Sequence, residues 1–516
     1  MNRLYLAVLC LLLASGCPSS GSDTVKGGGF KHPDNQATFL SGATFIAGDG
    51  SAPIEEATII LDGDTIYKVG KKNELSPPKL SAQRPGLEGH YIIPMVVNLS
   101  AYPGLSIAGR FDPKKYSRDT LTADLNRYAY YGVAAVAAGT DSDGLAVQVR
   151  DEQRQGKATG ALLHTAGRGI AAKGGSEILG SLPIRVATED EARKAVGELV
   201  DRKADIIMLW AEGMKAATSA AVVDEAHKQK LRVFADAPSL TEAKDLAKAG
   251  VDALIASVRD GEVDEELASL LKEKKVAYAP ALSSLEARFI YGEHPRWRGE
   301  SAMLEVYKSS VSAYLGDDTF IKRYKRESDT ETAKKEFGVA SRNLKKLAAS
   351  GVTIAFASGS GLPYALPGYF EHHEMDLMAA AGMAPMDVIK AATLASAAAL
   401  GAADLGALTQ GKKANFMIIS EDPLKEIAAT RGIDEVWING KHVEQRQSLI
   451  TEIEPIRITP EERKEEEERD RLEAIKKAED KEDHYGNKQF ILTKPRSRSQ
   501  QGCLFRCRAA WECPPK

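Results

Sequence analysis

Polar side chains that can move protons recur at the ends of apolar, strand-like runs in this 516-residue chain. They comprise three carboxylates, one imidazole and four hydroxyls, which are Ser100, Tyr102, Asp141, His164, Glu212, Asp236, Ser358 and Ser360. Carboxylates and an imidazole within reach of one another support general acid–base chemistry, so Asp236, His164 and Glu212 are the candidate catalytic residues. The alternative is a rim of polar residues with satisfied hydrogen bonds, and for His164 an imidazole bonded to a backbone carbonyl. The sequence favours this structural interpretation.

The apolar runs alternate with helical patterns, which is typical of βα units and a parallel sheet. Eight strands predict a (β/α)8 TIM barrel over residues 94–404, with an outer ring of helices. Residues 283–350 are longer than one crossover and are predicted to be a helical excursion over the barrel mouth, either a lid or a decoration. The predicted strands are Ile92 to Asn98, Val133 to Ala138, Gly160 to Thr165, Ile206 to Trp210, Arg232 to Ala235, Ala253 to Ala256, Val276 to Ala279 and Thr353 to Ala357.

Runs rich in β-branched residues lie on both sides of the predicted barrel. Ala57 to Leu61 and Thr65 to Val69 flank an Asp-Gly turn and indicate a hairpin. Ala414 to Ser420 repeats this composition near the other end. The sequence therefore predicts an α/β protein whose barrel is inserted in a small β-sandwich domain built from residues 37–93 and 405–447.

The first residues have the pattern of a secretory signal peptide, with Arg3 before an apolar run and small residues before Cys17. The run from Leu4 to Leu13 is too short to span about 30 Å of hydrocarbon. Leu13 to Cys17 resembles the bacterial lipobox, which implies lipid attachment at Cys17 and an exported protein anchored on the periplasmic side of a membrane, with the outer membrane favoured. Ordinary signal cleavage is the alternative. Residues 18–36 are predicted to form a flexible tether.

Composition changes again at the other end of the chain. Residues 448–484 are predicted to contain a charged helix that begins at Pro460 with Thr459 as its cap. Residues 485–516 are predicted to be a disordered basic tail. Its cysteines are too few for a four-cysteine zinc site and lack a suitably spaced histidine; they are Cys503, Cys507 and Cys513. The net charge of −4 provides no broad basic surface, so no nucleic-acid partner is expected.

Several segments in order give the chain a resemblance to a known family. They include Ala166 to Ile170, Glu225-Ala226-His227, Ala249 to Asp252, Gly382 to Pro385, Ala392-Thr393, Gly411-Lys412 and Asp422 to Leu424. Over about Ala37 to Val443 the chain resembles the imidazolonepropionase-related branch of the metal-dependent amidohydrolases. The resemblance implies hydrolysis of carbon–nitrogen bonds by zinc or another divalent metal, which activates water and polarises a carbonyl at the barrel mouth.

The metal-ligand positions of that family carry other residues here. The two first-strand histidines, the bridging lysine, the fifth- and sixth-strand histidines and the last-strand aspartate fall on Ser100, Tyr102, Met208, Asp236, Ala256 and Gly359. Of these, only Asp236 can serve as a ligand, whereas an open catalytic zinc site uses three protein ligands. We therefore expect no metal site and no cofactor.

Two functions follow from this comparison. The favoured one is a non-catalytic relative, a pseudoenzyme, that binds a small molecule in the barrel mouth or supports an active amidohydrolase paralogue. The alternative is a hydrolase of carbon–nitrogen bonds that uses an altered site. His372-His373 is interpreted as part of a surface helix, because adjacent helical residues point about 100° apart and form no metal clamp by themselves.

Overall fold

The structure is a computed structural model that describes residues 37–489 apart from 142, 176, 328 and 454, with side chains up to residue 476. The predicted signal peptide, Cys17, the tether and the three tail cysteines lie outside the described residues. The chain up to Arg457 belongs to one compact unit, and the chain from Ile458 belongs to a second. Within the described range, no helix has the length and apolar character needed to cross a membrane.

Strands and helices are numbered in chain order. The strands are β1 Ala37–Ser41, β2 Thr44–Phe45, β3 Ala57–Asp62, β4 Thr65–Lys71, β5 Ala82–Arg84, β6 Tyr91–Pro94, β7 Val96–Asn98, β8 Ser106–Ile107, β9 Arg110–Phe111, β10 Val133–Ala138, β11 Leu162–Thr165, β12 Ile170–Ala172, β13 Ile184–Val186, β14 Ile207–Trp210, β15 Val233–Asp236, β16 Ala253–Leu254, β17 Ala277–Tyr278, β18 Phe416–Ile419, β19 Ile433–Ile438 and β20 Lys441–His442. The α-helices are α1 Arg118–Tyr130, α2 Leu145–Arg154, α3 Glu189–Asp201, α4 Ala216–Lys228, α5 Leu240–Ala249, α6 Glu265–Lys274, α7 Leu282–Glu286, α8 Ser301–Tyr314, α9 Asp318–Glu327, α10 Thr330–Ala349, α11 Tyr369–Ala380, α12 Pro385–Lys390, α13 Ser396–Leu400 and α14 Pro460–Gln489.

Two sheets are formed by the first and last parts of the main unit, and the second of them contains strands from both parts. One has the order β4-β3-β1-β5, and the other has the order β2-β6-β18-β19-β20. In the second sheet Met417 pairs with Ile93 on one side and with Val436 on the other. Leu40 and Phe416 belong to the same buried cluster, which contains residues of both sheets. The two ends of the predicted composite domain therefore share one core, while the sandwich arrangement and the domain limits stay predictions.

The parallel strands of the middle region form two sheets, in the orders β11-β10-β7 and β13-β12-β14-β15-β16-β17. Residues 353–357 were predicted to be a regular strand but form only a bridge between Ile354 and Tyr278. On their other side, the carbonyl of Phe356 accepts a hydrogen bond from Leu99 N. The predicted strands of the described residues therefore do not form one continuous, closed sheet. Strands β12 and β13 were not predicted, because their three-residue apolar runs are too short for a periodicity signal.

Local signals set the helices between these strands. The Ser239 hydroxyl accepts a hydrogen bond from Glu242 N, and the Glu242 carboxylate accepts one from Ser239 N, which is a capping box at the start of α5. Gly250 ends the same helix in the left-handed conformation, with φ of 86°. These two signals delimit α5, one of the helices that the sequence predicts between the strands.

The predicted excursion at 283–350 is helical and comprises α7 to α10 with two short 3-10 turns. Aromatic rings hold it together. The ring of Tyr291 lies edge-on to Trp297, Phe320 and Tyr324, with centroid separations of 5.7, 6.0 and 5.6 Å. Tyr291 is fully buried, so the segment has an apolar centre of its own.

In the second unit, α14 begins at Pro460 as predicted. The Thr459 hydroxyl accepts a hydrogen bond from Glu462 N at 3.1 Å, and Thr459 N donates to the Glu462 carboxylate at 2.8 Å. This reciprocal cap is the one expected from the sequence. The helix continues to Gln489, past the predicted limit at 484.

Candidate functional site

A cavity of about 900 Å³ lies where the parallel strands β14 and β15 end. Its floor includes Tyr102, Trp210 and Asp236. Arg288 of the excursion also lines it, as do Tyr314 and other residues of α8 to α10. The excursion therefore covers the predicted barrel mouth. Cavities at the carboxyl ends of parallel strands are the usual ligand sites of such folds.

The two first-strand positions carry hydrogen bonds within the protein. The hydroxyl of Tyr102 accepts a hydrogen bond from Trp210 Nε1 at 3.1 Å. Burial raises the pKa of Tyr102 to about 12, and the nearby charge of Asp236 acts in the same direction. Ser100 N donates to Asn98 Oδ1 at 2.9 Å. Of this pair, only Tyr102 lines the cavity.

Met208 is completely buried in the floor beneath the cavity and does not line it. Gly139, which directly follows β10, makes room for it, because a β-carbon there would lie 2.7 Å from Met208 Sδ. Gly169 makes room for Trp210 in the same way, with a β-carbon position 2.4 Å from the indole ring. The thioether therefore fills space rather than opening it.

Asp236 ends β15 and pairs in register with Trp210 of β14. Its Oδ1 atom is buried and has no hydrogen-bond partner. Burial raises the pKa of Asp236; the negative charges of Glu212 and Glu242 add to the rise, and the positive charge of Arg259 opposes it. An acceptor left without a donor in a buried position is costly, which makes this atom the least satisfied group of the floor.

The three candidate catalytic residues are placed differently. Glu212 and Asp236 line the same cavity, whereas His164 does not. His164 lies in β11, where burial lowers its pKa and the charges of Asp205 and Arg154 act on it in opposite directions. The structure thus brings two carboxylates together without an imidazole. Ala256, at the position predicted for the sixth-strand histidine, also lines the cavity.

Asp141 was predicted to be a polar rim residue. The structure buries it, and its Oδ1 accepts a hydrogen bond from Ala146 N at 2.9 Å in the first turn of α2. It does not line the cavity. This carboxylate therefore serves the helix start, which agrees with the structural interpretation of that position.

Gly359 occupies the last family position in a left-handed conformation, with φ of 66°. A β-carbon there would lie 2.7 Å from the β-carbon of Ser284 in α7. Gly359 N donates to the carbonyl of Ser100 at 2.9 Å. The space for a side chain is therefore already taken by the excursion.

The serines on either side of Gly359 contact a carboxylate that sequence reasoning missed. Glu371 is fully buried, and its Oε1 accepts hydrogen bonds from Asn98 Nδ2 at 2.7 Å, Ser358 Oγ at 2.8 Å and Ser360 Oγ at 2.5 Å. Its Oε2 accepts from Gly368 N at 2.7 Å. Burial raises the pKa of Glu371 while the serine hydroxyls lower it. The network is closed upon itself and does not reach the cavity lining.

The surface interpretation of His372 and His373 is wrong, since both lie in the buried part of α11. The ring of His372 bonds to the carbonyl of Tyr131 at 2.8 Å and to the hydroxyl of Thr430 at 3.0 Å. A carbonyl only accepts, so Nε2 carries the proton. Burial lowers the pKa of His372 to about 4, so the ring is neutral at pH 7. The polar residues 371–374 are consecutive and therefore point to different sides of the helix. The sequence pattern of α11 for this reason does not show which face is buried.

The next two residues of α11 hold both ends of α7. The Glu374 carboxylate accepts hydrogen bonds from Leu282 N at 2.9 Å and Ser283 N at 2.5 Å. His373 Nε2 contacts Glu286 at the other end of the same short helix. Burial raises the pKa of Glu374 to about 7. Helix α7 carries Ser284 and Leu285 into the cavity wall, so α11 positions part of that wall.

The donor atoms at the mouth do not fit a catalytic metal. Among the described residues, no group of three or more histidine, cysteine, aspartate or glutamate side chains is arranged to hold one. Of the family positions only Asp236 offers a carboxylate, and zinc in open catalytic sites takes three protein ligands. The residues present therefore do not form the centre that the resemblance implies. Absence of a metal cofactor stays a prediction.

Part of the chain is similar to a known protein family. The model of the amidohydrolase family matches residues 210–443. This segment is an amidohydrolase family domain. It contains Asp236, Ala256 and Gly359 and ends within the composite sheets. No curated protein sequence matches the chain.

Solved structures of the amidohydrolase superfamily share the fold. A Xaa-Pro dipeptidase with bound methionine in its active site aligns with a TM-score of 0.66 and 22% identity, over 79% of this chain and 100% of that one. A putative prolidase from Bifidobacterium longum aligns with a TM-score of 0.65 and 22% identity, over 82% and 97%. A molinate hydrolase aligns with a TM-score of 0.63 and 18% identity, over 79% and 94%. The likeness at these identities is one of fold.

Proposed function

We propose that this amidohydrolase-like protein is a pseudoenzyme that binds a small molecule in its cavity. One observation carries the proposal: Met208, at the position of the bridging lysine, is buried against Gly139, whose missing side chain leaves the space it fills. A thioether cannot form the carbamate bridge between two metals. The hydroxyl of Tyr102, at a position predicted for a histidine, accepts a hydrogen bond from Trp210. The cavity above these side chains remains large enough for a small ligand.

The wider setting belongs to the same proposal. We infer a (β/α)8 barrel from the imidazolonepropionase-related branch, exported and anchored by lipid on Cys17, with the cavity facing the periplasm. An active amidohydrolase paralogue is the partner that such a relative would support. Labelling of growing cells with radioactive palmitate tests the anchor. The wild-type chain is expected to incorporate label and Cys17→Ala to lose it; an unlabelled wild-type chain overturns the anchor.

Metal analysis tests the pseudoenzyme proposal most directly. The full-length chain is purified after growth with added zinc and measured by inductively coupled plasma mass spectrometry, in parallel with Asp236→Ala. We expect far less than one metal per chain in both proteins. One zinc per wild-type chain, lost in the Asp236→Ala variant, would overturn the proposal.

A hydrolase with an altered site is the second candidate. The observation that favours it is the pair of carboxyl groups, Asp236 and Glu212, that line one cavity, since two such groups can act as acid and base. The structures that share the fold include proteins named as a dipeptidase and as a molinate hydrolase. Turnover of dipeptides or N-acyl amides that is abolished by Asp236→Asn would favour the hydrolase.

A further inference from the structure

The floor of the cavity contains an acceptor without a donor. Asp236 Oδ1 is buried and unpartnered, although Asp236 itself faces the cavity. The nearest ring donor is already used, because Trp210 Nε1 donates to Tyr102. The cation on the same wall is also shared, since Arg259 Nε lies 3.5 Å from the Glu336 carboxylate. The chain therefore provides no hydrogen bond to this oxygen, although the carboxyl group to which it belongs lines the cavity.

Charge and ring surfaces around the oxygen narrow the choice of ligand. Glu212 and Glu242 place negative charge near Asp236, and Arg259 places positive charge near it. The ring of Trp210 lies beside Asp236 in the ladder, with Tyr102 at a centroid separation of 6.4 Å from the indole. A carboxylate beside two aromatic rings favours a cation, because the ring faces are negative and the carboxylate adds a charge-assisted hydrogen bond.

We propose that the cavity recognises an organic cation that bears N–H donors, a primary ammonium or a guanidinium, with one N–H donated to the Asp236 carboxylate and the charge facing Trp210 and Tyr102. This assignment rests on the proposed ligand-binding function and names its ligand class. A bare metal ion would find one carboxylate and no further ligands here. An anion would meet Asp236 and Glu212 at this end of the cavity, whereas the lining arginines Arg259 and Arg288 both contact Glu336.

Three probes with the same phenyl group separate charge from shape: 2-phenylethylamine, 2-phenylethanol and 3-phenylpropanoate. Their affinities for the detergent-solubilised full-length chain are measured by isothermal titration calorimetry at pH 7.5. We expect the ammonium to bind at least roughly tenfold more tightly than the alcohol and the carboxylate. The Asp236→Asn variant is expected to bind the ammonium roughly 10- to 100-fold more weakly, the range of a charged hydrogen bond.

A matched control removes one negative charge outside the cavity. Glu198 is a surface residue of α3 that pairs with Arg202, and Glu198→Gln is expected to leave the ammonium affinity within about twofold of wild type. A second measurement uses only the wild-type chain and so does not depend on the folding of a variant. The affinity of the wild-type chain for 2-phenylethylamine is expected to fall as the pH is lowered far enough to protonate Asp236. The charged groups that act on the titration of Asp236 are Glu212, Glu242 and Arg259.

The outcomes are distinct. Equal affinity for the ammonium and the alcohol, or an unchanged ammonium affinity in Asp236→Asn, overturns the cation assignment and leaves cavity binding intact. No binding of the ammonium at all also overturns it. Stoichiometric zinc at Asp236 instead overturns the pseudoenzyme proposal on which the assignment rests.

Discussion

The β-carbon of Ser284 lies 2.7 Å from the place where a β-carbon of residue 359 would stand, so Ser284 leaves no room for a side chain at Gly359. Gly359 also has φ of 66°, which any other residue adopts at a cost of about 1–2 kcal/mol. Both the backbone conformation at Gly359 and its packing against α7 therefore disfavour the aspartate that the resemblance predicts at this position.

Restoring that aspartate is expected to destabilise the protein. Gly359→Asp combines backbone strain with an overlap that itself costs about 1–3 kcal/mol, so urea unfolding should show a loss of roughly 2–5 kcal/mol. The control is Gly411→Asp, where φ is 84° and no atom lies within 4 Å of the added carbon. Equal losses in the two variants would show that the contact with Ser284 has no effect.

A lysine at the bridging position is expected to be worse still. Met208 is fully buried in an apolar cluster with Trp210 and Phe234, and Met208→Lys places a cation among these side chains. The unpaired charge should reduce the free energy of unfolding by about 3–5 kcal/mol, while Met208→Leu changes it by less than about 1.5 kcal/mol. Thermal melting of both variants checks this difference. A Met208→Lys protein as stable as Met208→Leu would contradict the packed floor described here.

Glu374 predicts a loss of stability in alkaline solution. Its pKa is raised from 4.5 to about 7 by burial, so the folded protein holds this proton more tightly than the unfolded chain. Its contribution is full below pH 4.5 and is lost as the pH rises through about 7. The change amounts to about 3 kcal/mol. Between pH 5 and pH 8 the free energy of unfolding of the wild type, measured with urea, should fall by roughly 2–3 kcal/mol relative to that of Glu374→Gln, which is neutral at both, because His372 titrates in both proteins and cancels in this comparison.

The control for Glu374 is Glu198→Gln, on the surface of α3. It should leave the difference between pH 5 and pH 8 as it is in the wild type. The same difference in Glu374→Gln as in the wild type would count against the titration assigned to this carboxyl.

His372 predicts the opposite dependence at acidic pH. Burial lowers its pKa from 6.5 to about 4, so the unfolded chain binds the proton more readily than the folded protein. Its contribution is full above pH 6.5 and is lost as the pH falls through about 4, again by about 3 kcal/mol. His372→Gln should unfold with less acid dependence between pH 7 and pH 4. The exposed His227 provides the comparison, and His227→Gln should retain the wild-type acid dependence.

Sequence patterns predicted the helices and the shared sheets well where the signals are local. The capping box at Ser239 and the reciprocal cap at Thr459 depend on residues three apart, so both helix starts were predicted to within a residue or two. Composition predicted that the two ends share a sheet domain, but the predicted barrel strand Ile92 to Asn98 is divided between β6, which pairs with β18, and β7, which belongs to a parallel sheet. Residues 353–357 were harder, because their bonds are formed with distant parts of the chain.

The site was predicted only in outline. Asp236 and Glu212 do face one cavity, which follows from their places after neighbouring parallel strands. Glu371 and Glu374 were missed, because each acts through a partner remote in sequence on a helix that looks apolar overall. That His164 turns away from the mouth depends on its side-chain direction within β11, which residue spacing alone does not determine.

The pairing of Ile93 with Met417 has a consequence for synthesis on the ribosome. Strand β6 is made early, yet its antiparallel partner emerges only after the whole intervening α/β region. Until then the edge of β6 exposes unpaired peptide groups, which are a template for pairing with other chains. The growing protein therefore needs a means of shielding this edge, and its nascent form should engage chaperones until β18 has left the exit tunnel.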